Sequence, residues 1–321
     1  MAVNTNELPL RRSLLVTGAA GYLGAVFCEQ ALHAGYRVVG IDNLLYNQPS
    51  LLHLCSHPNF DFVQGDIRDK QLMCSLLRRA DAIVNFAGIV GAPACDRNPW
   101  LAREVNYEAV KQLNRLRSSQ QLFLQPTSNS GYGTKSGETF CTEETPLEPI
   151  SLYGRTKVEA EAELLASPNA ISLRLATVFG ASPRMRLDLL VNHFVYTAVT
   201  DGYLVLFEAG FKRNYVHIRD VADGFLFCLE HADRMVGQAY NLGLDSANLS
   251  KYELALKVKE FVPEFHIVCS DIGSDPDKRN YIVSSEKLRR MGFEARRGLE
   301  EGIRELLKAY ALLGRRPFRN I

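Results

Sequence analysis

The chain has 321 residues, 46% of them hydrophobic, which is enough for one large core or a core plus a lobe and excludes a small stapled scaffold. Its 37 basic and 36 acidic side chains leave a net charge of +1, so no global field favours nucleic acid or an anionic membrane as a partner, and any anion site must be local. Seven cysteines (Cys28, Cys55, Cys74, Cys95, Cys141, Cys228 and Cys269) lie scattered without a paired C-x-x-C spacing and are odd in number, which reads as reduced, mostly buried thiols and as neither a disulfide framework nor a zinc site. The polar stretch Met1 to Leu10 lacks the apolar centre of a signal peptide, and no apolar run approaches the roughly 20 residues that span a bilayer. A soluble, cytoplasmic protein is expected.

Ser13 to Thr17 (SLLVT) is a short apolar strand that stops at Gly18-Ala-Ala-Gly21-Tyr22-Leu23-Gly24, and a helical pattern follows through Val26, Phe27, Ala31 and Leu32. Strand, glycine turn and helix in that order form the context of a dinucleotide fingerprint. Gly18 permits the tight turn, Gly21 lets the backbone approach a pyrophosphate, and Gly24 lets helix and strand pack closely. The first helical turn, with Tyr22 and Leu23, then meets the phosphates. Arg37 to Ile41 reads as a second strand ending in Asp42-Asn43, and an acid about 20 residues past the glycines accepts hydrogen bonds from a ribose diol and repels a 2′-phosphate. This favours NAD over NADP, and no Arg follows at once to reverse it.

Phe60 to Val63 is a third strand running into Asp66-Ile67, where the acid either meets an adenine amino group or is a solvated loop carboxylate. Residues 80–87 give a fourth strand ending in Ala87-Gly88, small enough for a cofactor to lie against the backbone. Asn106 falls inside the helix expected over Arg97 to Arg117, where a helix-interior Asn needs a partner and is placed to hold a water or carbonyl beside the site. Gln121 to Gln125 is the fifth strand, and Ser128 follows it in Pro126 to Gly133, a loop that faces the cleft of an open sheet. Residues 134–150 read as a surface loop.

Ser151 to Ser167 is a helix that carries Tyr153 and Lys157 four residues apart, so phenol and ammonium share one face. A nearby cation favours the phenolate, which makes Tyr153 a candidate general base assisted by Ser128, with the ammonium drawing its pKa down from about 10. Ala170 to Leu175 is the sixth strand. The alternation predicts an α/β fold, a Rossmann-type doubly wound parallel sheet.

The second half breaks the alternation. A helix is expected from Ser182 to Val199, short strands at Tyr203 to Phe207, Asn214 to Ile218 and Gln238 to Leu242, and helices near Ser250 to Phe261, Ser284 to Met291 and Leu299 to Leu313. This describes a smaller mixed α/β substrate-binding lobe. Residues 1–177 are expected to form the dinucleotide-binding domain, with 214–243 returning to it, and 178–213 and 244–321 the lobe. Arg184, Arg186, Lys212, Arg213, Lys278 and Arg279 lie near turns where guanidinium forks grip a diphosphate. Seven His residues show no metal-ligand spacing, so no metal is expected, and His217 reads as a strand residue.

With TGAAGYLG, Asp42, Ser128, Tyr153 and Lys157 in this order, together with RNYVHIRD (213–220) and YNLG (240–243), the chain resembles an extended short-chain dehydrogenase/reductase acting on a nucleotide sugar, over essentially its whole length. The segments NLLYNQPSLL, IVGAPACDRNPW, PTSNSGYG, RLATVFGASPRMRLDLLVN, SANLS and DPDKRNY are similar to bacterial GDP-D-glycero-α-D-manno-heptose 4-dehydrogenases of capsule-sugar pathways. That likeness implies Tyr153 as base, Lys157 on the nicotinamide ribose, Ser128 on the C4 hydroxyl, and Arg213 and Arg279 on the diphosphate or nucleotide. Asn129, Ser130, Thr177, Arg184, Arg186 and Asn192 complete the expected substrate contacts. Similar 4,6-dehydratases carry Asp or Glu directly after the catalytic Ser/Thr, whereas Asn129 and Ser130 stand here, and similar 3,5-epimerases carry a Cys in this loop, which has none. Two outcomes stay open, a 4-dehydrogenase, with 2-oxoglutarate a candidate hydride acceptor, and a 4-epimerase; an NAD-sensing regulator without turnover would be expected to lose the Tyr/Lys pair, which this chain keeps with Ser128. Relatives by this likeness associate through two helices, here Arg97 to Arg117 and Ser151 to Ser167, so a homo-oligomer is expected.

Overall fold

The computed structural model describes residues 12–135, 140–272 and 279–314. The first half runs β1 (Ser13–Thr17), α1 (Tyr22–His33), β2 (Arg37–Asp42), β3 (Phe60–Gln64), α2 (Lys70–Leu77), β4 (Ala82–Asn85), α3 (Ala92–Arg97), α4 (Pro99–Arg103), α5 (Ala109–Leu116), β5 (Leu122–Ser128), β6 (Phe140–Cys141), α6 (Leu152–Leu165) and β7 (Ala170–Leu175). The second runs β8 (Thr177–Phe179), α7 (Leu190–Thr200), β9 (Tyr203–Leu206), β10 (Lys212–His217), α8 (Ile218–Glu230), α9 (Ala232–Met235), β11 (Gln238–Leu242), β12 (Asn248–Ser250), α10 (Lys251–Lys259), β13 (His266–Cys269), β14 (Ile282–Val283), α11 (Glu286–Met291) and α12 (Leu299–Leu313).

Seven strands pair in parallel in the order β11-β7-β5-β4-β1-β2-β3. Both faces are covered, which is why β4 and β7 are buried at every position and read as continuous apolar runs. Successive residues still divide between the faces: Leu14 and Val16 pack with α1 and α8, while Leu15 packs with α2, α5 and α6. Strand order reverses between β1 and β4, and a ligand crevice is expected at the carboxyl ends of that pair. The lobe has its own core around Phe179, Phe194, Tyr215, Leu254, Phe265 and Leu306. No helix among the described residues is long and apolar enough to cross a membrane, and no group of three or more metal-ligating side chains occurs among them.

Four local expectations are corrected. The helix expected from Arg97 starts at Pro99, because Asn98 caps it by accepting from the Leu101 N–H at 3.0 Å and proline suits a first helical position. Its middle, Glu104–Glu108, is a π turn around Asn106. The helix expected from Ser182 begins only at Leu190, since Pro183 disfavours a helical Ser182 and the Ser182 hydroxyl is engaged with Tyr22 and the Arg184 N–H. The surface loop 134–150 contains β6, paired in parallel with β14. The strand expected at 214–218 is β10, which pairs with β8 and β12 outside the large sheet. All seven cysteines are free thiols.

One buried ion pair ties the elements that carry the site. Glu161 of α6 and Arg174 of β7, 4% and 8% exposed, meet at 2.7 Å. Thr127 of β5 and Ser172 of β7 donate to the same carboxylate at 2.8 and 2.7 Å, and Arg174 donates to the Tyr132 hydroxyl, which donates on to Asn241 of β11. Removing one partner of a satisfied buried pair leaves a bare charge. Arg174→Leu is therefore expected to lower unfolding stability by about 3–5 kcal/mol in urea denaturation, with a smaller loss in the Glu161→Gln/Arg174→Leu double variant.

Candidate active site

A cleft of about 360 Å³ opens at the switch point, lined by the glycine turn, the loop after β2, Asp66 to Arg68, the segment after β4, Ser128, Tyr153, Lys157, Thr177, Arg184, Arg186, Arg279 and Tyr281. Gly18 has φ +64°, and a Cβ there would stand 2.5 Å from the Ala87 N at the end of β4. A Cβ on Gly24 would meet the Gly18 carbonyl at 2.1 Å, so its packing partner is the turn itself more than the strand. Gly21 caps α1 without a side chain, and the first turn holds no acid, so the leading N–H groups of Tyr22 and Leu23 form an anion-receptive helix end.

Asp42 ends β2 and accepts from the Ala20 and Leu44 N–H groups at 3.1 and 2.8 Å, which fastens the glycine turn to it; burial raises its carboxyl pKa. Asp66 is neither free nor simply solvated. Arg68 grips it through two bonds of 2.9 and 2.8 Å, Asn43 donates at 3.2 Å, and its pKa falls to about 2, chiefly through the Arg68 hydrogen bonds. Ile67, Ala87 and Gly88 line the same crevice.

Ser151 caps α6 by accepting from the Gly154 N–H at 3.1 Å and sets the helix phase that brings Tyr153 and Lys157 to the cleft. Lys157, 4% exposed, donates to the Pro126 carbonyl at 3.4 Å. That carbonyl ends a polar ladder across the sheet: Thr17 donates to Asn85, Asn85 to Gln125 at 2.8 Å, and Gln125 to Pro126 O at 3.2 Å. Ser128 accepts from the Ser130 N–H at 3.2 Å, which leaves its own proton to donate into the cleft.

Residues 14–243 match the NAD dependent epimerase/dehydratase family. The chain belongs to that family. It is an NAD-dependent enzyme of the extended short-chain dehydrogenase/reductase class. The low-salt glycan biosynthesis protein Agl12 of Haloferax volcanii is 30% identical over 313 residues, 92% of this chain and 98% of its own length. UDP-glucose 4-epimerase 1 of Oryza sativa subsp. japonica is 29% identical over 92% of this chain and 94% of its own. Two structures solved with NAD share the fold: dTDP-glucose 4,6-dehydratase of Bacillus anthracis str. Ames (TM-score 0.82, 23% identity, 94% of this chain and 97% of that one) and UDP-glucose 4-epimerase of Thermus thermophilus (TM-score 0.80, 23%, 93% and 99%).

The residues of this family member fit NAD. The glycine turn forms a cradle that added Cβ atoms would distort, an uncapped helix end faces it, and Asp42 stands at the ribose end of the fingerprint. Asn106 takes no part in the cleft lining. Fully buried, it holds both the N–H and the carbonyl of Ile89 at 2.8 and 2.9 Å, beside Gly88 and Lys157. Of the expected substrate residues, Thr177, Arg184, Arg186 and Arg279 line the cleft. Arg213 instead lies buried on β10, 5.7 Å from the ring of Tyr281, and Asn192 supports Gly180, Tyr22 and Arg186 by hydrogen bonds. Asn129 and Ser130 are buried behind Ser128, off the cleft wall. Lys278 lies outside the described residues. Tyr46 and Tyr281, which line the cleft, and Asp188, which pairs with Arg186, were not singled out in the sequence, although each stands within four residues of an expected site residue.

The electrostatics depart from the expectation at one point. Burial raises the Tyr153 phenol to about 12, and the cations that draw it down are Arg186 and then Arg279, with Ser128 adding a hydrogen-bonding contribution; Lys157 points to Pro126. Burial lowers the Lys157 ammonium to about 8 from its ordinary 10.5. The unfolded chain therefore holds the extra proton between those values, and stability attributable to this group rises with pH across that window. Lys157→Met is expected to gain up to about 3 kcal/mol at pH 7, the gain fading between pH 8 and 10.5, in urea unfolding run across pH 7–11. A pH-independent difference would contradict the burial of a charged ammonium.

Proposed function

We propose that the protein oxidises the C4 hydroxyl of a nucleotide-diphosphate sugar, and that the sugar is a GDP-linked manno-heptose oxidised in the synthesis of a capsule or other surface polysaccharide. The observation that carries the oxidation is that Ser128, Tyr153 and Lys157, from two different elements, line one cleft together with the glycine turn. The heptose rests on the sequence likeness in the loops around the cleft. In this reading residues 1–177 and 214–243 chiefly serve the cofactor, and 178–213 and 244–321 chiefly the sugar nucleotide.

The Ser128 hydroxyl donates to the substrate oxygen, its lone pair being held by the Ser130 N–H. Tyr153 as phenolate takes the C4 hydroxyl proton while hydrogen leaves the same carbon with its electron pair. NAD supplies the hydride acceptor and, in its oxidised form, a positive charge. Lys157 sits one helical turn below the phenol, where its ammonium would hold a ribose hydroxyl. Arg186 and Arg279 present positive charge near Tyr153, where an anionic diphosphate substrate is favoured and the phenolate is stabilised. No carboxylate directly follows Ser128, so loss of water from C6 lacks the acid that similar 4,6-dehydratases carry at that position. A ketone that leaves requires an external oxidant, and a small keto acid such as 2-oxoglutarate entering the same cleft would serve.

A second reading, a nucleotide-sugar 4-epimerase, is supported by the rice UDP-glucose 4-epimerase, which is 29% identical over 92% of this chain. It uses the same three residues. Incubation with a panel of GDP- and UDP-sugars, with and without 2-oxoglutarate, separates the two by product mass. Loss of two mass units is expected, an unchanged mass with altered NMR couplings marks an epimerase, and loss of eighteen would overturn both. Tyr153→Phe is expected to lower kcat by about 10²–10⁴-fold with NAD binding retained, and normal turnover would remove Tyr153 as the base.

A further inference from the structure

The segment from Gly180 to Arg186 leads from β8 into the lobe and is fastened to the first turn of α1. The Tyr22 hydroxyl donates to Gly180 O at 2.6 Å, the Ser182 hydroxyl to Tyr22 O at 2.7 Å, and the Arg184 N–H to the Ser182 hydroxyl at 3.2 Å. Arg184 is thus carried two residues from an anchor on the helix end that receives phosphate. Its guanidinium is 2% exposed, lies 4.3 Å over the Tyr46 ring and lines the cleft, while Nε and Nη2 are buried without a partner among the described residues. Its charge acts on Asp42 and Tyr46 on one side and on Arg186 on the other. Arg186 is already paired, at 2.5 Å with Asp188, and acts on Tyr153. Arg184 therefore stands over Tyr46, in the loop that follows Asp42, and beside the anchor on Tyr22 at the helix end, on the adenosine-ribose side of the cleft. In a dinucleotide the group that meets that helix end is the pyrophosphate.

We infer that Arg184 is a cofactor residue, the side-chain half of the NAD pyrophosphate site, which closes the lobe over the cofactor opposite the α1 helix end. This rests on NAD occupying the cleft and is independent of which sugar is oxidised. An unpaired buried guanidinium is strongly unfavourable until an anion meets it, and its planar fork suits two phosphate oxygens. Tyr46 holds the plane by stacking.

The test uses NADH-loaded full-length protein. Release of NADH into excess NAD, followed by fluorescence, is expected to be roughly 10- to 100-fold faster in Arg184→Gln, the range of a charge-assisted hydrogen bond, and intermediate in Arg184→Lys, which keeps charge without the fork. Competition by ADP-ribose should weaken in parallel and competition by adenosine, which lacks phosphate, should not. Equal weakening of both would mean a loosened site and would overturn the assignment. Unchanged NADH release would overturn it as well, and a concurrent loss of GDP or UDP affinity for the loaded enzyme would place Arg184 on the substrate diphosphate. Wild-type protein that takes up no NADH would defeat the NAD reading itself, separately from any effect of Arg184.

Discussion

Burial of an ammonium and a phenol at the carboxyl end of a parallel sheet is unfavourable to both, and much of the surrounding architecture offsets that cost. Lys157 is driven toward neutrality and Tyr153 away from ionisation by the same exclusion of water that makes them useful. The Pro126 carbonyl, fed by the Thr17, Asn85 and Gln125 ladder, gives the ammonium a partner. One turn further along α6, Glu161 locks the helix to β5 and β7 through Thr127, Ser172 and Arg174. Polar groups so buried hold position because any displacement leaves them unpaired.

The same logic joins the lobe to the sheet. His217, buried on β10, meets Glu305 of α12 at 3.0 Å and packs edge-on against Phe179, and Glu305 also accepts from the Ala181 N–H. Ala181 neighbours Gly180, whose carbonyl receives the Tyr22 hydroxyl. A short chain of contacts thus runs from the last helix of the lobe to the first turn of α1. Cofactor site and lobe share this joint, which is why the arginines carried beyond it enter the cleft at fixed places.

The glycine turn, Asp42, Ser128 and the Tyr153/Lys157 pair were legible because each depends on local spacing and on the strand or helix that carries it. Asn106 was half legible: a helix-interior amide demanded a partner, and it found the Ile89 backbone within a π turn that spacing does not reveal. Arg213 was legible only as a basic residue beside a turn; its place on β10, against the ring of the cleft residue Tyr281, came from tertiary packing. The late start of α7 was hidden because the Ser182 hydroxyl is engaged by a residue 160 positions away.

By itself, then, the sequence determined a doubly wound sheet with a dinucleotide turn and a tyrosine and lysine on one helical face, since apolar periodicity, glycine conformational freedom and a four-residue repeat act over short range. Tertiary structure alone decided which charges act on that tyrosine. Arg186, not Lys157, is the cation that most favours the phenolate, and Arg184 acts on Asp42, because burial and through-space charge depend on segments of chain well separated in sequence.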